Sequence, residues 1–323
     1  MVDTTEVARF LELAPPNTDW LAELSTATGP DVPLPDRATA RELLRTMRVP
    51  EADWAEAFAA APEPDRDPEL WWLLQHCRRL LADRMGDQGP LAHWPDLPVR
   101  LGAAGRWFYL WVFVAATPAL LEYHRRHGVE PSVTDATLAD VGAKAVLRRR
   151  TRGAAGLDKQ SWFTLHFRGL LYALGRLQFN VARVRADAAE LPAGTPCLGT
   201  HIPEDGPMTP QACDASFAAA PGFFARHFGT RYEIATCTSW LLDDQLAQYL
   251  PDGSNIMRFQ RRFRLLPGAQ PADASIVEFV FRRLDADPAE LPRDTTLQRA
   301  VADHLRAGRH WLVRTGYLRL PVG

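Results

Sequence analysis

The sequence is sparing in several features that would each have marked a class of protein. It has four cysteines in 323 residues, Cys77, Cys197, Cys213 and Cys237, none in Cys-x-x-Cys spacing. That spacing argues against a disulfide framework and a clustered structural zinc site. Its most apolar stretch, Trp107 to Leu121, is about 15 residues and contains Pro118, short of the ~20 residues of a membrane-spanning helix. We read it as a buried core helix. The opening Met-Val-Asp-Thr-Thr-Glu carries acids and no apolar run, so no signal peptide is expected. A cytoplasmic protein with no membrane partner is the expectation. A charge excess is also missing: Lys+Arg 37 against Asp+Glu 39 gives a net charge of -2, which excludes nucleic-acid binding through bulk charge. Lysine is nearly absent, with only Lys144 and Lys159. The basic residues are therefore almost all arginine. No internal repeat or low-complexity tract stands out.

What is present describes a folded chain. Apolar residues make up 46% and charged residues 24%, the balance of a soluble globular protein, and the length suits two domains. The first half reads as helices. Asp36 is a plausible N-cap, followed by Ala40, Leu43, Leu44 and Met47 at helical spacing. Asp67-Pro68 opens a second helix, stopped at Gly86. Further helices are expected over 105–127, 134–150 and 158–167. The period then changes. Arg176, Gln178 and Asn180 alternate with Leu177, Phe179 and Val181, a strand pattern whose polar face can line a cleft. Strands are expected over 195–202, 232–241, 311–320, the alternating 257–265 segment and the apolar run 275–281. Thr209-Pro210 pairs an N-cap with a proline at the first helical position, opening a helix that Pro221 should kink or split. Short helices are expected at 243–249 and 295–305. The fold class is α+β: a helical domain over 1–168, then a mixed domain over 169–323.

The second half is distinctive in detail. Leu174-Gly-Arg-Leu-Gln-Phe179, His201-Ile-Pro-Glu-Asp-Gly-Pro207, Ser239-Trp-Leu-Leu-Asp243, Arg258-Phe-Gln-Arg-Arg-Phe263, Thr296-Leu-Gln-Arg-Ala300 and His310-Trp-Leu-Val-Arg-Thr-Gly316 follow one another in order. This resembles a family of actinobacterial acyltransferases that join a helical N-acyltransferase N-terminal domain to a GNAT-like C-terminal domain. The likeness spans roughly 90–320. It implies an acyl-CoA-dependent N-acyltransferase, with acetyl-CoA or a related acyl-CoA as co-substrate, no metal, and a small-molecule or peptide amine as acceptor. It also implies that pantetheine lies between two splayed parallel strands, 195–202 and 232–241, and that the pyrophosphate meets the helix starting at Thr209, where free N–H groups favour anions.

The resemblance puts Tyr249 where such enzymes often hold the proton donor for the leaving thiolate. Glu204 and His201, at the end of the first splayed strand, are candidates to deprotonate the amine. Thr209, Ser239, Arg258 and Arg262 are candidates for holding the co-substrate, the arginines from one strand face. Cys237 or Ser239, with His201 across the splay, would give an acyl-enzyme route. One departure is plain. The glycine-rich phosphate loop is replaced by His-Ile-Pro-Glu-Asp-Gly-Pro, so Glu204 and Asp205 would repel a pyrophosphate. Arg150-Thr-Arg-Gly-Ala-Ala155 spells the usual pattern but precedes the first clear strand. The alternative reading is a non-catalytic GNAT-like binding or scaffold protein.

Overall fold

The computed structural model describes residues 2–15, 17–185, 191–284 and 286–321. Its backbone divides into two compact units, residues 1–149 with 153–172, and residues 150–152 with 173–323.

The first unit is helical: α1 (Thr4–Phe10), α2 (Thr18–Ser25), α3 (Arg37–Thr46), α4 (Trp54–Ala59), α5 (Pro68–Asp83), α6 (Gly102–Arg126), α7 (Pro131–Leu138), α8 (Asp140–Arg152) and α9 (Gln160–Phe167). Asp36 caps α3 by accepting from the Thr39 N–H. The single helix expected over 134–150 is instead two, α7 and α8. The apolar stretch expected as a core helix is the middle of α6, and every residue from Trp107 to Val114 is buried. A helix apolar on all sides belongs in a protein core. α6 is the one described helix long and apolar enough to cross a membrane, and its most apolar window is 61% buried inside the protein. Pro118 lies within α6 without ending it. Gly142 of α8 has a steric cause: a Cβ there would lie 2.0 Å from the Arg48 carbonyl oxygen, and its N–H donates to the Met47 carbonyl at the end of α3.

The second unit holds β1 (Leu171–Leu174, beginning just before the unit boundary), β2 (Leu177–Arg183), β3 (Pro196–His201), α10 (Pro210–Phe228), β4 (Ile234–Ser239), α11 (Asn255–Gln260), β5 (Arg264–Leu265), β6 (Gln270–Pro271), α12 (Asp273–Phe281), α13 (Thr296–Arg306) and β7 (Leu312–Arg319). The sheet runs β1-β2-β3-β4-β7-β5, with β6 on β7. Three expectations are corrected. Residues 257–260 lie in helix α11, which Ser254 caps by accepting from the Met257 N–H, and only Arg264–Leu265 of the expected strand is extended, as β5. Residues 275–281 are helix α12, which buries Ile276, Val277 and Phe281. α10 runs unbroken through Pro221.

Candidate active site

β3 and β4 run parallel but pair only through Leu198–Ala235 and Gly199–Thr236. β3 continues through Thr200 and His201, held on its other side by Phe179 and Gln178 of β2. β4 continues through Cys237, Thr238 and Ser239, held by β7. Beyond the second pair the strands splay, with His201 ending one arm and Ser239 the other.

Strand alternation sorts the side chains by face. Asn180, Gly199, His201, Thr236 and Thr238 share one face, with Thr238 Oγ1 and Thr315 Oγ1 2.9 Å apart. Phe179, Leu198 and Cys237 share the other, where Phe179 meets Phe217 of α10 edge-on at 5.7 Å. His201 Nε2 lies 2.7 Å from Asn180 Oδ1. The contact crosses position 199 diagonally, and only glycine permits it: a Cβ there would lie 2.3 Å from Asn180 Oδ1.

Between β3 and α10 the chain wraps around one guanidinium. Arg176, in the β1–β2 turn rather than on β2, donates to the carbonyls of Pro207 (3.1 Å), Pro203 (2.8 Å) and Gly206 (2.6 Å). Its side chain is 10% exposed. The loop thus turns carbonyls toward a buried cation, while the N–H groups of Asp205, Gly206, Met208 and Gln211 make no hydrogen bond within the described residues. Thr209 caps α10 by accepting from the Ala212 N–H at 3.4 Å. Asp205 lies 3.7 Å from Arg176, and Glu204 is ion-paired with Arg282.

The other candidates are dispersed. Arg262 braces the first turn of α10, donating to Asp214 Oδ1 (2.7 Å) and the Pro210 carbonyl (3.1 Å). Arg258 is exposed on α11, and its carbonyl accepts from Arg262 Nη1 at 2.7 Å. The two arginines therefore lie four residues apart where a helix ends, not on a strand face. Ser239 Oγ accepts from the Leu241 N–H at 3.1 Å, capping the turn that follows β4. Tyr249 Oη lies 3.0 Å from His304 Nδ1 and accepts from Arg309. Cys237 is 2% exposed, and burial pushes its thiol up to about 12. It faces away from His201, so the pairing of these two across the splay does not form. A cavity of about 330 Å³ lined by Arg37, Arg41, Arg45, Trp54 and Phe58 lies in the helical unit and involves none of the candidates.

Residues 38–169 match the N-acyltransferase N-terminal domain family, and residues 171–318 the GNAT-like C-terminal domain family. Among solved structures, an acyltransferase in complex with decanoyl-CoA is 43% identical, with a TM-score of 0.91 over 99% of this chain and 100% of that one. An acyltransferase in complex with decanoyl-CoA and teicoplanin is 42% identical, with a TM-score of 0.90 over the same shares. An acyltransferase mutant in complex with octanoyl-CoA is likewise 42% identical, with a TM-score of 0.91 over 99% and 100%. No curated protein matches. The chain belongs to this acyltransferase family.

In this acyltransferase the segment between β3 and α10 reads His-Ile-Pro-Glu-Asp-Gly-Pro and has no glycine-rich loop. Arginines answer the two carboxylates that would repel an anion, and Arg176 fixes which way the peptide groups face. Sequence reasoning placed Arg176 and Asn180 only on a polar strand face and gave Gly199 and Arg282 no role. Arg282 carried no local signal, because its partner Glu204 is 78 residues away. The signal for Gly199 was present as a glycine inside a strand pattern, a mark of close approach.

Proposed function

We propose that the acyltransferase moves a medium-chain acyl group from acyl-CoA to an amine of a glycopeptide, with His201 as the base. The observation that carries the reading is the splay: the β3–β4 ladder stops after two pairs, and an imidazole stands at its mouth. Pantetheine runs between the strands, and the pyrophosphate meets the unpaired N–H groups of the 205–211 segment and the start of α10. The 42–43% identity to acyltransferases holding octanoyl-CoA, decanoyl-CoA or teicoplanin supports the donor and acceptor classes.

In this scheme the amine nitrogen attacks the thioester carbonyl, and a C–N bond forms. N–H groups on the β3 side of β4, beyond the two shared pairs, stabilise the oxyanion. His201 takes the amine's proton; as the C–S bond breaks, the imidazolium returns that proton to the departing thiolate, leaving amide and CoA. Glu204 and Tyr249, each engaged by an arginine, take supporting roles, as do Thr209 and Arg262 in holding the first turn of α10. Residues 169–323 carry the acyl-CoA chemistry and residues 1–168 the choice of acceptor. A cytoplasmic location fits a CoA thioester co-substrate and four free cysteines.

The test is a thermal shift with acyl-CoA combined with turnover of His201→Ala. Octanoyl-CoA at a hundred times its Kd should stabilise the fold by ~2.7 kcal/mol. His201→Ala should keep that shift and lose about 10²- to 10⁴-fold in kcat, the span of a general base. No shift with any acyl-CoA at millimolar concentration would sink the reading.

A further inference from the structure

We propose that Thr200 is a binding residue for acyl-CoA: its hydroxyl, at the root of the splay, pairs with an amide group of the pantetheine arm. The proposal rests on the reading that this arm runs between β3 and β4.

Thr200 is 2% exposed, and its Oγ1 has no hydrogen-bond partner among the described residues. Burying a hydroxyl without a partner is unfavourable, and folded proteins satisfy nearly all of theirs. The strand offers no local remedy. A threonine in a helix can donate to the carbonyl one turn back, as Thr117 does to Phe113 at 2.7 Å, but a residue in mid-strand has no such carbonyl. The side chains on its face of the sheet are Phe179, directly opposite on β2, with Leu198 and Cys237. A single water there would find few further partners.

The β3–β4 ladder holds Leu198–Ala235 and Gly199–Thr236 and then stops. Thr200 is therefore the first residue of β3 beyond the last shared pair, where the gap between the strands opens. Pantetheine entering that gap brings its amide groups among apolar side chains, and each needs a partner. A hydroxyl suits either end of an amide, because it donates to a C=O and accepts from an N–H. Nitrogen lone-pair donation makes an amide oxygen a stronger acceptor than a thioester oxygen, so the arm and not the reacting centre is the match. Alternation puts Thr200 and His201 on opposite faces. Acyl transfer then proceeds on the His201 face, and the arm is anchored from the other. One polar group on an otherwise apolar lining is how a pocket fixes a ligand's orientation.

The experiment pairs Thr200→Val, which exchanges the hydroxyl for a methyl group of similar size, with Thr200→Ser, which keeps it. The melting temperature is read without ligand. Kd is read by calorimetry for octanoyl-CoA and for S-octanoylpantetheine, which lacks the nucleotide. Without ligand, Thr200→Val should melt no lower than wild type, because an unpaired buried hydroxyl contributes no bond. Its Kd should rise about 5- to 30-fold for both ligands alike, the span for leaving one polar group of the complex unpaired. In turnover the loss should appear in KM more than in kcat. Thr200→Ser should hold both Kd values within about threefold of wild type. Wild-type Kd values in Thr200→Val overturn the proposal. So does a rise confined to octanoyl-CoA, which puts the partner on the nucleotide, or a loss confined to kcat, which puts it on the thioester. A ligand-free Thr200→Val that melts well below wild type also overturns it, since the hydroxyl then has a partner within the protein. Wild-type protein that binds neither ligand would instead strike the underlying reading.

Discussion

Cys237 and His201 illustrate how the fate of a reactive side chain is set by the face it occupies. Cys237 lies on the face of the sheet that Phe179 and Phe217 share, 2% exposed, and burial raises its thiol to about 12. A thiol in that state is protonated at neutral pH and is neither a nucleophile nor a metal ligand. Cys237→Ala should keep full acyl transfer, and iodoacetamide at pH 8 should leave Cys237 unmodified until the protein unfolds. Rapid labelling of the native protein at Cys237 would contradict this. His201 occupies the opposite face of the same strands, with Asn180, Thr236 and Thr238. The sequence named both residues, and the alternation of each strand was legible. The relative phase of the two strands was not, because it depends on a register fixed by Leu198–Ala235 and Gly199–Thr236.

At the scale of elements, the β3–α10 loop pairs both of its acidic side chains with arginines. Glu204 and Asp205 lie beside a helix start, but Arg282 and Arg176 answer them. Arg176 also draws three carbonyls inward. Arg176→Met should therefore raise KM for acyl-CoA about tenfold with a smaller change in kcat, since it removes charge-assisted bonds of ~1.5–3 kcal/mol that shape the loop rather than the reaction. Equal KM values for variant and wild type would refute this role. α10 itself was legible from Thr209-Pro210, a local signal that needs no partner. α11 and α12 were not. The run Met257 to Leu265 alternates like a strand, and Ser275 to Phe281 is apolar and β-branched, a pattern that periodicity alone cannot separate from a buried helix. What decides the start of α12 is tertiary: Asp273 accepts from the Trp311 N–H at 2.8 Å and sits 2.6 Å from His310 Nδ1.

For the molecule as a whole, the helical unit carries a built-in sensitivity to acid. His124 is 2% exposed, bonded through Nδ1 to Thr134 Oγ1 at 2.9 Å, and is lowered from 6.5 to about 4 by burial first and by His127 second. In the unfolded chain it would titrate near 6.5, so between pH 6.5 and 4 the unfolded state binds the proton and the folded state does not. Stability should be intact above pH 6.5 and fall as the pH drops toward 4, by ~3 kcal/mol from this group. Urea unfolding at pH 7 and pH 4.5 should show the fall, and His124→Gln should reduce it. A variant whose stability drops as steeply as that of the wild type would place the effect elsewhere.

By itself the sequence determined whatever depends on neighbours along the chain: the change from helical period to strand period, the buried run of α6, the cap and proline that open α10, and the ordered motifs that carry the family likeness. Tertiary structure decided what depends on residues far apart in sequence. It set the phase of β3 against β4, the burial of Cys237 opposite His201, the Glu204–Arg282 pair, and the passage of Asn180 over Gly199 to the imidazole. The reason is physical. Caps and periodicity are written within one or two turns of chain, whereas a hydrogen bond or ion pair across a sheet exists only once the register has been chosen.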